Sequence, residues 1–122
     1  MGAGVTPVKL ASLKGRQETT ITSSTAATSI IPAGAAGVFN DLYGVLLSNT
    51  SASASEVTIQ DGSGTDQPIL INVPAGDTRG FVWPSSDAQP QTTAATAWTA
   101  TCGTSVASMK VTALYTKRIG LE

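Results

Sequence analysis

A chain of 122 residues with 41 % apolar residues is long enough for one domain with its own core, and a net charge of −1 with only 12 % charged residues points to no nucleic-acid partner. It has no histidine and one cysteine, which removes the commonest general base, the usual zinc ligand set and any disulfide framework within the chain. Aromatics are scarce at 5 %, and threonine, serine, alanine and glycine take their place. Such a composition suits closely packed sheets and a protein that lives against neighbours.

The charges are unevenly placed. Residues 1–17 carry Lys9, Lys14 and Arg16 and no acid, a sum of +3. Residues 18–105 carry Glu18, Asp41, Glu56, Asp61, Asp66, Asp77 and Asp87 against Arg79 alone, a sum of −6. Residues 106–122 carry Lys110, Lys117 and Arg118 against Glu122, a sum of +2. Chance scatter of few charges is the bland reading; the sharper one is that basic ends dock on an acidic surface, such as the body of a neighbouring copy. Three clustered cations are too few for a nucleic-acid footprint. The first residues lack the apolar core of a signal peptide, and no run reaches the roughly 20 apolar residues of a membrane helix, so a cytosol-like place of synthesis without a membrane partner is expected. Gly2 with Thr6 fits the myristoylation pattern, but so loose a pattern recurs by chance.

Taken in order, Thr6–Gly15 reads in two ways. It could be a short helix with Thr6 as N-cap, Pro7 at the first position, Lys14 in the last turn and Gly15 after its end. The alternative is an extended arm whose Val5, Val8, Leu10 and Leu13 insert into a neighbour's groove. Both readings leave residues 1–17 outside the strand pattern, as an arm. Glu18–Thr22 is rich in β-branched residues and reads as a strand; Thr28–Ile31 is a second, ended by Pro32-Ala33-Gly34. Ala33–Asn40 is small and loop-like. Leu42–Ser48 is apolar on both alternations, as expected of a central strand, and Gly44 within it predicts a bulge or a close approach of another backbone.

After the polar turn Asn49–Ser55 comes a meander over Glu56–Trp83. Val57 and Ile59 share one face of the first strand, Ile69, Ile71 and Val73 one face of the second, and Phe81 and Trp83 one face of the third. Asp61–Thr65 and Pro74–Asp77 supply the glycine, proline and aspartate that turns require. Pro84–Gln91 is a loop, Ala94–Cys102 a strand anchored by Trp98, and Val106–Thr116 a last strand. In that strand Met109, Val111, Ala113 and Tyr115 line one face, and Lys117–Glu122 form a basic tail. Eight strands punctuated by turns predict an all-β chain, a jelly-roll-like antiparallel β-sandwich of about eight strands with a short N-terminal arm. An immunoglobulin-like sandwich is second, lacking its cysteine pair. The expected organisation is an arm over 1–17, a sandwich over 18–118 and a tail over 119–122.

No arrangement for catalysis emerges. There is no Gly-x-Ser-x-Gly elbow and no histidine to activate a serine. The acids fall mostly in turns, where bonding the local backbone accounts for them. Asp61-Gly-Ser-Gly-Thr-Asp66 could offer oxygens to calcium, yet it lacks the spacing and closing glutamate of an EF-hand loop and reads as a plain hairpin loop. Trp83 and Trp98 alternate with apolar neighbours and read as core anchors rather than sugar-stacking platforms. Cys102 reads as a buried inert thiol. A non-enzymatic protein with no cofactor, metal or catalytic residues is therefore expected.

The texture of VLLSNTSASASEVTIQDGSG and PILINVPAGDTRGFVWP, with the closing VTALYTKR, resembles small virion proteins of tailed bacteriophages. It is most similar to head decoration, or capsid cement, proteins, over about residues 18–118. The resemblance implies a compact and commonly oligomeric β-domain, with a trimer favoured, on the capsid exterior. There it would bind the major capsid protein, bridge capsomers and stiffen the shell, after synthesis in the host cytoplasm. It brings no catalytic residues. The expected partner-binding groups are Val5, Val8, Lys9, Leu10, Leu13, Lys14 and Arg16 of the arm and Lys117 and Arg118 of the tail. A tail or fibre component and a carbohydrate-binding or adhesion sandwich are the alternatives.

Overall fold

The computed structural model describes residues 14–62 and 68–119. Eight strands run in chain order: β1 (Lys14–Ile21), β2 (Thr28–Ile31), β3 (Val38–Asn49), β4 (Ser55–Asp61), β5 (Ile69–Val73), β6 (Thr78–Val82), β7 (Trp98–Cys102) and β8 (Met109–Ile119). They form two four-stranded antiparallel sheets, ordered β1-β8-β3-β6 and β2-β7-β4-β5. The first strand pairs with the last, the second with the seventh, the third with the sixth and the fourth with the fifth. That is one long hairpin rolled up on itself, with β3–β8 and β4–β7 pairing added by the rolling. The chain is a jelly roll.

The alternation read from the sequence lines the interior. Val57 and Ile59 of β4, Trp98, Ala100 and Cys102 of β7, and Met109, Val111 and Ala113 of β8 are buried between the sheets with Ile30, Ile31, Leu42, Val45 and Leu47. Each such side chain contributes about 1.5–3 kcal/mol by leaving water. Trp98 is fully buried, and its indole Nε1–H donates to the Asn40 carbonyl at 2.6 Å, so its polar edge is satisfied. Trp83 is only half-buried, its ring tilted against Phe81 with centroids 4.2 Å apart. Cys102 is buried, and desolvation pushes its thiol above the ordinary range.

Several boundaries differ from the expected ones. β1 starts at Lys14 rather than Glu18, because Lys14–Gln17 pair with Thr116–Ala113 of β8. Gly15 is accordingly a strand residue across which the Tyr115 ring lies, not the end of a helix; residues 6–13 lie outside the described residues. Val38–Asn40, expected in a loop, pair with Ile119–Lys117, so Lys117, Arg118 and Ile119 belong to β8 and not to a tail. The other edge of this part of β3 is satisfied by the long β6–β7 connection: Leu42 and Gln89 exchange backbone hydrogen bonds, and the Ala95 N–H donates to the Val38 carbonyl. β7 begins at Trp98, later than expected, because Gln89–Ala97 serve that edge instead.

Gly44 is a bulge. The β3–β8 register shifts between Leu42 and Gly44, leaving Tyr43 as the extra residue. The shift inverts the pattern beyond it: Leu42, Val45 and Leu47 all point inward, whereas Leu46 turns outward with 41 % exposure. The second apolar alternation of β3 is therefore not the buried face of a central strand, as the sequence suggests, but an outward one.

Candidate interaction surface

The antiparallel registers define what each sheet shows to the outside. On β2-β7-β4-β5 the outward residues include Thr99, Thr101, Thr58, Gln60 and Asn72, a polar face on which Leu70 of the edge strand is 62 % exposed. On β1-β8-β3-β6 one cross-strand row reads Arg16, Leu114, Gly44, Val82 and the next Glu18, Thr112, Leu46, Gly80. A Cβ on Gly44 would stand 3.1 Å from Leu114 Cδ1 and 3.2 Å from Val82 Cγ2, so these two side chains close over the glycine. Leu114, Val82 and Leu46 thus form an apolar strip across the middle of the sheet, with Val82 56 % exposed. Gly80 lets β6 lie close to β3, since a Cβ there would collide with the Val45 carbonyl oxygen. Beside the strip lies a shallow depression of about 440 Å³ lined by Glu18, Thr20, Leu46, Ser48, Lys110 and Thr112 among others.

At the end of the sandwich where β1 starts and β8 finishes, a polar cluster ties the two sheets together. Gln91 is 1 % exposed; its Nε2 donates to Asp61 Oδ1 at 3.0 Å and to the Thr96 carbonyl, and its Oε1 accepts from the Asn40 N–H at 2.8 Å. The Gln91 N–H donates to Asp41 Oδ1, and the Thr92 N–H and Oγ1–H both donate to Asp61 Oδ2. Asp41 and Asp61 are thus buried acids spent on partners 30 or more residues away, which corrects the expectation that the acids mostly bond their local backbone. Asp77 does behave as expected: its carboxylate accepts from the Thr78 N–H and from Arg79, which together hold it below the usual carboxylate range, Arg79 first. Asp61 has no carboxylate oxygen free of these bonds, and residues 63–67 of its hairpin loop lie outside the described residues.

The expected partner-binding groups separate into three sets. Val5, Val8, Lys9, Leu10 and Leu13 lie outside the described residues. Lys14, Arg16 and Lys117 are exposed on neighbouring strands, with Arg16 bonded to Glu18 at 2.9 Å. Arg118 is exposed but engaged: its Nε and Nη2 donate to Asp41, Nη2 also donates to the Gln91 carbonyl, and its guanidinium lies 4.2 Å over the Phe39 ring. Asp41 raises the Arg118 pKa further. This arginine fastens the end of β8 to β3 and to the β6–β7 connection. The apolar strip is absent from the sequence-derived set; Leu114, an apolar residue on the face of β8 opposite Met109, Val111 and Ala113, was its one sequence signal.

No family model matches the chain, and no curated protein matches it by sequence. Among solved structures it is similar to a protein from the study "Bacillus endospore appendages form a novel family of disulfide-linked pili", at 16 % identity and a TM-score of 0.46 over 88 % of each chain. It is also similar to a chain of the virus-like particle of the giant freshwater prawn Macrobrachium rosenbergii extra small virus, at 15 % identity and a TM-score of 0.41 over 93 % of this chain and 83 % of that one. Likenesses of this size carry no argument about function.

Proposed function

We propose that this chain is a non-enzymatic virion structural protein that sits on the outside of a phage capsid, turns its β1-β8-β3-β6 face to the major capsid protein and bridges capsomers. The apolar strip of Leu46, Val82 and Leu114 carries the reading, because exposed aliphatic side chains on a sheet face flanked by threonine favour being covered. The sequence resemblance to head decoration proteins supports it. So does the low charge density, which suits a chain that spends its time against other protein. Cement action requires no chemistry. Many copies on a lattice, each holding weakly, add up by multivalency.

The test is loading onto particles of the phage that encodes the chain. Leu46→Lys places a charge in the strip without touching the core, and it lowers occupancy on purified capsids at least tenfold while the melting temperature stays within about 2 °C of wild type. Thr58→Lys, its counterpart on the other outer face, loads normally. Equal loading of both variants refutes the assigned face, and wild-type protein found on tails alone refutes the capsid role.

A further inference from the structure

The two flanks of the sandwich, where the edges of the sheets meet, are chemically opposite. One flank is formed by β1 and β2, whose exposed positions are Lys14, Arg16, Glu18, Thr20 and Ser29, with no exposed apolar side chain. The other is formed by β5 and β6. There Ile69, Ile71, Phe81 and Trp83 are only half-buried between the sheets, and Leu70 and Val82 are 62 % and 56 % exposed on either side. Both flanks also carry open strand edges, whose unpaired backbone groups favour further pairing.

We infer that the β5–β6 flank is the docking site for the segment preceding β1 of a second copy of this chain, with Val5, Val8, Leu10 and Leu13 as its apolar anchors. The segment matches in chemistry, since it supplies four aliphatic side chains within nine residues and no acid. Covalent geometry decides between its own flank and a neighbour's for Leu13, the anchor next to β1; Val5, Val8 and Leu10 are four or more residues from Lys14, and at about 3.4 Å per residue their reach does not distinguish the two. Leu13 is joined to Lys14 and stays about 3.8 Å from it. In the order β1-β8-β3-β6, the chain's own β6 is three strand spacings from β1, about 14 Å away. Leu13 therefore cannot reach its own β5–β6 flank, but it reaches that of a copy whose β5–β6 flank packs against β1. The contact joins two different surfaces, so it is heterologous and generates a closed ring where the rotation allows. It concerns the purified chain alone and holds or fails independently of the capsid reading.

The experiment is a cross-link in the full-length double variant Leu13→Cys/Leu70→Cys, with the buried Cys102 left in place. Mild oxidation is expected to give a ladder of disulfide-linked multimers that collapses to monomer on reduction. The control Leu13→Cys/Thr101→Cys, with the second thiol on the polar face two strands from β5, is expected to stay monomeric. A monomer bridged within the chain overturns the inference in favour of self-docking. Two free thiols on a chain with wild-type circular dichroism overturn it outright, as does equal laddering of the control. Should the first pair fail to fold, Leu10→Cys/Val82→Cys reads the same contact with the same outcomes.

Discussion

The two sheets of this jelly roll are built from similar strands and differ in how much adjustment they need. In the β2-β7-β4-β5 sheet, β7, β4 and β5 pair in unbroken register, β4 and β7 turn threonine outward, and the one register shift falls at the edge strand, between Ser29 and Ile31 of β2. The β1-β8-β3-β6 sheet contains a bulge at Tyr43, a glycine at position 80 where the Val45 backbone leaves no room for a side chain, a glycine at position 44 where a Cβ would press on Leu114 and Val82, and an arginine that locks its longest strands at one end. More of these adjustments belong to the sheet with the apolar outer strip, the face assigned to the capsid in the proposed function.

That contrast is open to attack by mutation. The largest effect on stability is expected from Gly80→Val, whose side chain would drive β6 off β3. It should cost about 3 kcal/mol in urea unfolding, against about 0.5 kcal/mol or less for Thr101→Val on the opposite face. If both are neutral, the close approach of β6 to β3 does not depend on Gly80.

Next comes Arg118→Ala. It leaves Asp41, whose side chain is only 11 % exposed, facing the Gln91 N–H without its cation. About 1–2 kcal/mol is expected, discounted because the arginine side chain is 45 % exposed. Faster amide exchange at Leu42 and Ala95, whose N–H groups hold the β6–β7 connection to β3, should accompany it.

The smallest effect lies at the surface. Asp77 is stabilised as the carboxylate, so its contribution is present above its unfolded value of about 3.9 and is lost as pH falls through its lower folded value. Arg79→Ala removes the main cause, and an NMR titration should show the Asp77 pKa rising toward the ordinary value.

Much of this fold is legible in the sequence because alternation is a local signal. Val57 and Ile59, Ile69 through Val73, and Met109 through Ala113 fall on the faces that their spacing indicates. What escaped reading depends on partners far along the chain. Val38–Asn40 look like loop until Ile119–Lys117 pair with them, and Lys14–Gln17 look like the end of an arm until β8 pairs with them. Asp41, Asp61 and Gln91 each resemble turn residues, and only the rolled hairpin brings them together. The strip was hidden by a single residue. Strict alternation puts Leu42 and Leu46 on one face, and the bulge separates them.

The central claim is that the β1-β8-β3-β6 face is the one covered by the capsid. Electron cryo-microscopy of particles carrying the wild-type protein tests it most directly. The account predicts density on the shell exterior, at contacts between capsomers, with Leu46, Leu114 and Val82 facing the major capsid protein and Thr58 and Thr101 facing solvent. Density with the threonine face against the shell, or on the tail alone, would contradict it.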